Sequence, residues 1–155
     1  NDFFNILRPQ NIEIDGRKFW SYKHGPIELV IMRTRHFPDT AISVDESQWC
    51  SGVLINRRAW ISGDTMFDAD YPIRFSKMAE VMFHDTQLFF GGVHASYQEL
   101  NTLPDDVKSK MYLYHYGDNW DQPETWAKGA TDFTGEPAKD GFLGWAEQNV
   151  AYDFK

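Results

Sequence analysis

Alternating apolar and polar residues predict a run of strands through the first two thirds of the chain. Strands are predicted at 18–24 and 26–37, with a Gly-Pro turn between them. Two more are predicted at 49–56 and 58–64, and the short link that joins them favours a hairpin. Later strands are predicted at 80–87 and 111–117, whereas the opening residues look like a loop.

Helix signals lie between the later strands. A Ser-x-x-Glu capping box predicts a helical piece at 96–101. A proline followed by two aspartates predicts a second helical piece at 103–111. Residues 71–80 are predicted to be helical as well. The order is a run of strands followed by strand–helix–strand units, which predicts a mixed α/β (α+β) fold with helices covering a mixed sheet.

The whole chain is interpreted as one domain, because 155 residues are enough for a single buried core. Its segment 118–155 is rich in Asp, Gly, Pro and Trp and is interpreted as an irregular aromatic part of the same domain. A short helix is predicted at 144–150. The expected anchors of this segment are Trp120, Trp126 and Trp145.

Composition and charge narrow the class of protein. Hydrophobic residues make up 42% of the chain and aromatic residues 16%, which argues against disorder. No apolar run approaches the roughly 20 residues that span a bilayer, so no membrane partner is expected. The single cysteine, Cys50, is interpreted as a small core residue, and a cytoplasmic location is predicted. The net charge of −8 makes long nucleic acid an unlikely partner but leaves a small anionic ligand possible.

The histidines carry the candidate chemistry. Three of the five lie near the ends of predicted strands, a fourth precedes a capped helix, and an aspartate ends the strand at 58–64. Taken singly, each histidine is most often a core residue with a satisfied hydrogen bond. Together they favour a metal site, because imidazole and carboxylate suit Zn, Mn or Fe and strand ends are rigid positions for ligands. The residues are His36, His84, His94, His115 and Asp64, whereas His24 lies in a turn.

This ordered set, within the stretches "SGDTMFD", "FHDTQ", "GGVHASYQEL" and "YLYHYGD", resembles the metallo-β-lactamase-fold hydrolases. The resemblance is to the phosphodiesterase branch, which includes ribonuclease Z-like nucleases, and it covers roughly residues 36–118. It implies half of an αββα sandwich and two divalent metal ions (Zn, Mn or Fe). Any one of the motifs is weak alone, and the order of the set makes the match specific.

Roles follow from the resemblance residue by residue. His36, Asp64 and His115 are implied as metal ligands, with Asp64 bridging the two ions. His94 is implied as the catalytic proton donor to the leaving oxygen. Asp64 also counts as catalytic through the bridging position. The pair His84 and Asp85 is implied to orient a ligand from outside the metal site, where the family usually has His-Glu.

One departure from the family is plain. The motif His-x-His-x-Asp-His is absent, so this chain supplies only three ligands. The chain is therefore interpreted as the C-terminal half of the fold. Its expected partner is the N-terminal half, as a proteolysed fragment or a separately encoded chain, and a homodimer is a further possibility. A degenerate relative without catalysis is the alternative.

The resemblance predicts a metal-dependent hydrolase that cleaves a small phosphodiester, such as a nucleotide or cyclic nucleotide, with a metal-activated hydroxide. Two other functions stay open at this point. One is a di-iron protein that binds oxygen or senses redox state on the same fold. The other is a partner-binding subunit without catalysis.

Overall fold

The computed structural model describes residues 8–89, 91–116 and 136–153. Within these ranges a mixed β-sheet of eight strands carries the fold, and the strands lie side by side in chain order. They are β1 Gln10–Ile14, β2 Arg17–His24, β3 Ile27–Thr34, β4 Cys50–Ile55, β5 Ala59–Ile61, β6 Val81–Asp85, β7 Met111–Tyr114 and β8 Gly144–Trp145.

Strand direction changes midway across the sheet. Strands β1 to β5 pair in antiparallel fashion, and β5 to β8 pair in parallel. Parallel neighbours need crossover connections, and the helices supply them. They are α1 Asp70–Ser76 between β5 and β6, α2 Tyr97–Asn101 and α3 Asp105–Lys108 between β6 and β7, and a 3₁₀ helix Pro137–Asp140 before β8. The mixed α/β (α+β) class predicted from the sequence is confirmed.

The main core lies between the sheet and the helices. Trp60 and Met82 are fully buried at its centre, and Phe75 of α1 packs on Trp60 with ring centroids 5.8 Å apart. Burial of each such side chain contributes roughly 1.5–3 kcal/mol. Further buried apolar residues on this helix-covered face of the sheet include Val30, Met32, Leu54, Met111 and Leu113.

The predicted hairpin between β4 and β5 is confirmed. Asn56 and Arg57 both have positive φ, at 49° and 57°, as a type I′ turn requires. Arg58 N donates to Ile55 O at 2.9 Å and closes this turn. The strands predicted at 18–24, 26–37, 80–87 and 111–117 are confirmed as β2, β3, β6 and β7. The three predicted helical pieces are present as α1, α2 and α3.

Two predictions at the ends of the chain were wrong. Part of the opening segment is strand β1 rather than loop, and it pairs with β2 through a turn at Asp15 and Gly16. Both turn residues have positive φ, at 49° and 78°, so this Asp-Gly pair is a hairpin signal that the prediction missed. Residues 144–150 form β8 and a turn instead of a helix, because Gly144 has φ 137° and β7 offers a free edge.

Residues 118–135 of the predicted aromatic segment lie outside the described residues, including Trp120 and Trp126. Trp145 lies in β8, where its ring contacts Tyr116 with centroids 4.3 Å apart. Within the described ranges, every helix is too short or too polar to cross a membrane.

Candidate functional site

Four strand ends and the approach to α2 converge at one edge of the sheet. The rings of His36 and His94 lie 4.9 Å apart between centroids, and those of His94 and His115 lie 4.6 Å apart. Asp64 Oδ1 is 3.5 Å from His115 Nδ1. Asp85 completes the group, which we call the His–Asp cluster: His36, Asp64, Asp85, His94 and His115.

Asp85 lies at the centre of the cluster and is fully buried. Its Oδ2 accepts hydrogen bonds from His94 Nδ1 at 2.6 Å and from Thr65 N at 2.9 Å. Its Oδ1 lies 3.0 Å from His115 Nδ1. Because a buried carboxyl group is costly unless it is paired and hydrogen-bonded, these donors offset the cost of placing Asp85 in the interior.

The bonds of Asp85 determine how both imidazoles can act. A carboxylate that accepts from Nδ1–H holds the proton on that nitrogen and leaves Nε2 as the atom that can meet a ligand. His94 and His115 therefore share one orienting group. In histidine-based metal and acid–base sites, a carboxylate in this position fixes the orientation of the ring.

Asp64 reaches the cluster because the chain turns sharply after β5. Gly63 has φ 65°, and a Cβ there would lie 2.2 Å from the backbone oxygen of Ser51. Only glycine fits such a close approach to β4. Thr34 Oγ1 then donates to Asp64 O at 3.3 Å, which ties the turn to the end of β3.

His36 follows β3, and its backbone N donates to Ser47 Oγ at 2.8 Å. Its side-chain Nε2 is buried and has no hydrogen-bond partner among the described residues. A buried polar atom without a partner costs roughly 1–3 kcal/mol, so an unpaired imidazole nitrogen beside a His–Asp cluster points to a ligand.

His94 is held in place by the segment that leads into α2. Ala95 N donates to Thr65 O at 2.7 Å, next to the turn that carries Asp64. Ser96 and Glu99 form the predicted capping box, with Ser96 N donating to Glu99 Oε2 at 2.9 Å. These bonds fix the backbone on the side of His94 that leads into α2.

His115 stands at the end of β7 with φ 66°, in the left-handed region. This conformation costs of order 1–3 kcal/mol for a non-glycine residue and persists only where the surroundings impose it. Here the His115 ring bonds to Asp85, and the chain turns away from the sheet at the end of β7. The observed strain at a polar cluster is typical of functional sites.

His84 is placed differently. Its ring is buried in the main core, 5.5 Å from the Trp60 ring, and its Nδ1 lies 2.7 Å from the backbone oxygen of Asp85. Within the described residues, no hydrogen bond or ring contact joins it to the other histidines. Burial lowers the pKa of His84 below its usual value, with the Asp85 carbonyl opposing the shift.

This burial predicts an acid-sensitive stability. The folded-state pKa of His84 is lower than its unfolded pKa, so the unfolded chain takes up the proton first as the pH falls. Stability is therefore full above the unfolded pKa, near 6.5, and is lost below it by up to about 1.4 kcal/mol per pH unit. In denaturant titrations from pH 7.5 to 5.5, the free energy of unfolding of His84→Gln should fall less steeply with decreasing pH than that of the wild type. The exposed His24→Gln should keep the wild-type slope, and equal slopes for all three proteins would contradict the prediction.

The structure thus brings the predicted ligands His36, Asp64 and His115 to one edge, together with His94. The metal-binding and catalytic roles of these residues stay predictions. Sequence reasoning gave Asp85 the role of orienting a ligand from outside the metal site, and in the structure Asp85 bonds to Nδ1 of both His94 and His115. Sequence reasoning missed Ser62 and Thr65, whose hydroxyl and backbone N–H bond to Asp85. Ser62 and Thr65 flank Gly63-Asp64 in the sequence, and this position was the signal that could have identified them.

Comparison with known proteins identifies the family. Residues 1–139 match the family model described as "Anti-Pycsar protein Apyc1". A relative of that name from Bacillus phage BSP38 is 44% identical over 63 residues, covering 40% of this chain and 24% of the relative. One from Paenibacillus harenae is 36% identical over 98 residues, covering 62% and 37%. One from Paenibacillus xerothermodurans is 27% identical over 136 residues, covering 83% and 49%.

The chain spans less than half the length of these curated relatives. The match corrects the predicted family and function. The metallo-β-lactamase-fold assignment, and with it the metal-dependent phosphodiesterase and its alternatives, rested on short motifs of one or two matching residues each. A model matched over residues 1–139 outweighs those motifs, and it shows that the chain belongs to the Apyc1 family of anti-Pycsar proteins.

Proposed function

We propose that this chain forms part of an enzyme that acts against Pycsar and that the His–Asp cluster is its active site. The name of the relatives, anti-Pycsar protein, indicates that the system this enzyme would oppose is Pycsar. The observation that carries the chemical part is the buried Asp85 carboxylate, bonded to Nδ1 of both His94 and His115. Such a group prepares two imidazoles for proton transfer, which a purely structural cluster does not need.

The proposed ligand is a small anionic nucleotide. Imidazolium N–H groups are good donors to phosphate oxygens, and three rings stand within 5 Å of their neighbours between centroids. The net charge of −8 disfavours long nucleic acid, which needs a basic field, and is compatible with a small anion held by local donors. His94 is proposed to transfer a proton at an oxygen of the ligand, since its side chain is 22% exposed and its orientation is fixed.

Divalent metal ions are part of this proposal. The residues of the cluster fit a divalent metal ion chemically. The His36 Nε2 atom is buried without a partner among the described residues. Asp85 bonds to Nδ1 of His115, which leaves the Nε2 atom of His115 available as a ligand. His36, Asp64 and His115 would hold the ion, and Asp85 would orient His115 from behind. A bound ion would polarise a phosphoryl oxygen as a Lewis acid. Three protein ligands are few for two ions, so further ligands would come from another segment or from water.

The test combines one assay with one pair of variants. The assembled protein is incubated with a panel of small phosphodiesters, including cyclic mononucleotides and dinucleotides, and products are separated by chromatography. His94→Gln is expected to lower turnover by roughly 10²-fold, because glutamine cannot donate a proton as imidazolium does. The matched control His24→Gln changes an exposed residue at the end of β2 and should leave turnover unchanged.

The metal content of the same preparation is measured by elemental analysis. Retained metal in both wild type and His94→Gln, with turnover lost in the variant, would separate proton transfer from metal binding. Tight stoichiometric binding of a phosphodiester without any product would contradict the enzyme. So would equal turnover of wild type and His94→Gln.

A further inference from the structure

One side of His94 is fixed by the bonds that lead into α2, and the other side is a loop that contains two glycines. The loop 88–94 connects the end of β6 to His94, and its Gly91 and Gly92 have φ 82° and 106°. All of its residues except 90 belong to the described part of the chain. Because glycine loses more conformational freedom on ordering than any other residue, such a loop needs contacts that hold it. The same contacts limit where the His94 ring can lie.

The stem of this loop is formed by backbone hydrogen bonds at Gln87. Gln87 N donates to Ala95 O at 2.8 Å, and Tyr97 N donates to Gln87 O at 3.0 Å. These bonds make a parallel bridge between Gln87 and Ser96. The loop is therefore closed one residue after His94, at the start of α2.

The side chain of Gln87 holds the interior of the loop. The residue is only 6% exposed, and its Nε2 donates to Phe89 O at 3.1 Å and to Gly91 O. Both amide hydrogens are thus used on carbonyl groups of the loop. The amide also lies against Gly92, where a Cβ would be 3.2 Å from Gln87 Oε1 and 3.3 Å from Gln87 Nε2. The Gln87 amide therefore fits inside the turn that the two glycines make.

The His94 ring depends on a fixed loop because its contacts are directional. Its Nδ1 lies 2.6 Å from Asp85 Oδ2, and its centroid lies 4.9 Å and 4.6 Å from the centroids of His36 and His115. A displacement of about 1 Å at a reacting group can cost roughly 10²-fold in rate. A looser loop would act on the His94 ring through the backbone that carries it.

We propose that Gln87 is a positioning residue for His94. Its side chain orders the loop 88–94 and so holds the imidazole between Asp85 and the other two rings of the cluster. Gln87 acts through the loop rather than on the ligand. The effect on the His94 ring needs no substrate, whereas the effect on turnover rests on the proposed function, so the two are measured separately.

The test compares Gln87→Met with wild type in the assembled protein. Methionine has a similar length and suits a buried position, but it cannot donate to the two carbonyl groups. The mobility of the His94 ring and of the Gly91 and Gly92 amides is measured by NMR relaxation dispersion, which detects motion on the microsecond-to-millisecond timescale. Wild type should show one ordered state, and Gln87→Met should show exchange at all three residues.

Turnover of the panel of small phosphodiesters is measured on the same two proteins. Gln87→Met should lower kcat roughly 10-fold and change KM by no more than about 2-fold, because two hydrogen bonds in the loop are lost and the contacts of the ligand remain. The matched control is Gln10→Met, the same change at an exposed position at the start of β1. It should leave the mobility of His94 and kcat unchanged.

A second pair of variants keeps the test decisive if Gln87→Met fails to fold. Gly92→Ala adds a methyl group against the Gln87 amide. Gly91→Ala adds the same group at a positive φ where no described atom beyond its chain neighbours lies within 4 Å. Gly92→Ala should raise the mobility of the His94 ring more than Gly91→Ala does, because it alone displaces the Gln87 side chain.

The outcomes distinguish the positioning role of Gln87 from the proposed function. Exchange at His94 in Gln87→Met, with no turnover by wild type or variant, would support the positioning role and contradict the function. A rigid His94 ring in folded Gln87→Met would overturn the positioning role whatever the turnover. Equal mobility of His94 in Gly91→Ala and Gly92→Ala would overturn it as well, as would a mobile ring with an unchanged kcat.

Discussion

Asp85→Asn is expected to lower the proposed activity of the assembled protein by roughly 10³-fold. Asp85 bonds Nδ1 of His94 and of His115, so one substitution removes the orienting charge from two rings at once. Loss of a single orienting carboxylate behind a functional imidazole typically costs 10–100-fold, and two affected rings multiply these factors. Asparagine has nearly the same shape, so the loss reflects charge and tautomer rather than packing.

The measurement has two parts. Suppression of Pycsar is assayed in bacteria that carry the system, and the tautomers of His94 and His115 are read from long-range ¹H–¹⁵N spectra. Wild type should show protons on Nδ1, and Asp85→Asn should show a mixture. Asp45→Asn is the control, because it removes an exposed carboxylate that pairs with Arg33 at 3.3 Å, and such surface pairs contribute about 0–1 kcal/mol. If Asp85→Asn still suppressed Pycsar fully, the His–Asp cluster would not be the active site.

Local sequence signals predicted most of the fold. The capping box of Ser96 and Glu99 works through bonds within four residues, so it can be identified without any tertiary knowledge. The same holds for the turn at Asn56, whose flanking apolar runs pair directly with each other. The parallel half of the sheet also followed, because strands alternated with short helices at the expected spacing.

Elements that depend on distant partners were harder to predict. Strand β1 has few apolar residues and is a strand because β2 offers it an edge. Strand β8 exists because residues on either side of it donate to the carbonyls of β7. In both cases pairing overrides a weak local preference, which periodicity alone does not reveal.

The candidate site shows the same division. That His36, Asp64, His94 and His115 share one edge could be predicted, because each follows or precedes a recognisable element. The central position of Asp85 could not be predicted. Its neighbour His84 lies one residue earlier on β6 and faces the core. Successive residues of a strand point to opposite faces, so the sequence tells which of the two belongs to the site only when the buried face is already known.

The short motifs were also a poor guide to the family. Each contributed one or two residues, while the family model uses residues across most of the chain.

Gly63→Ala is expected to destabilise the fold by more than about 3 kcal/mol and to displace Asp64 from the cluster. The added Cβ would lie 2.2 Å from the Ser51 backbone oxygen and would also impose φ 65° on a residue with a side chain. The backbone conformation alone costs roughly 1–2 kcal/mol, and the clash with a strand backbone adds to it because β4 cannot move without breaking its pairing. The matched control is Gly25→Ala, at φ 55° with no atom within 4 Å of the added Cβ. Urea unfolding of both variants therefore separates the two contributions: Gly25→Ala should lose about 1 kcal/mol, and equal losses would mean that the close approach to Ser51 does not hold the Asp64 turn.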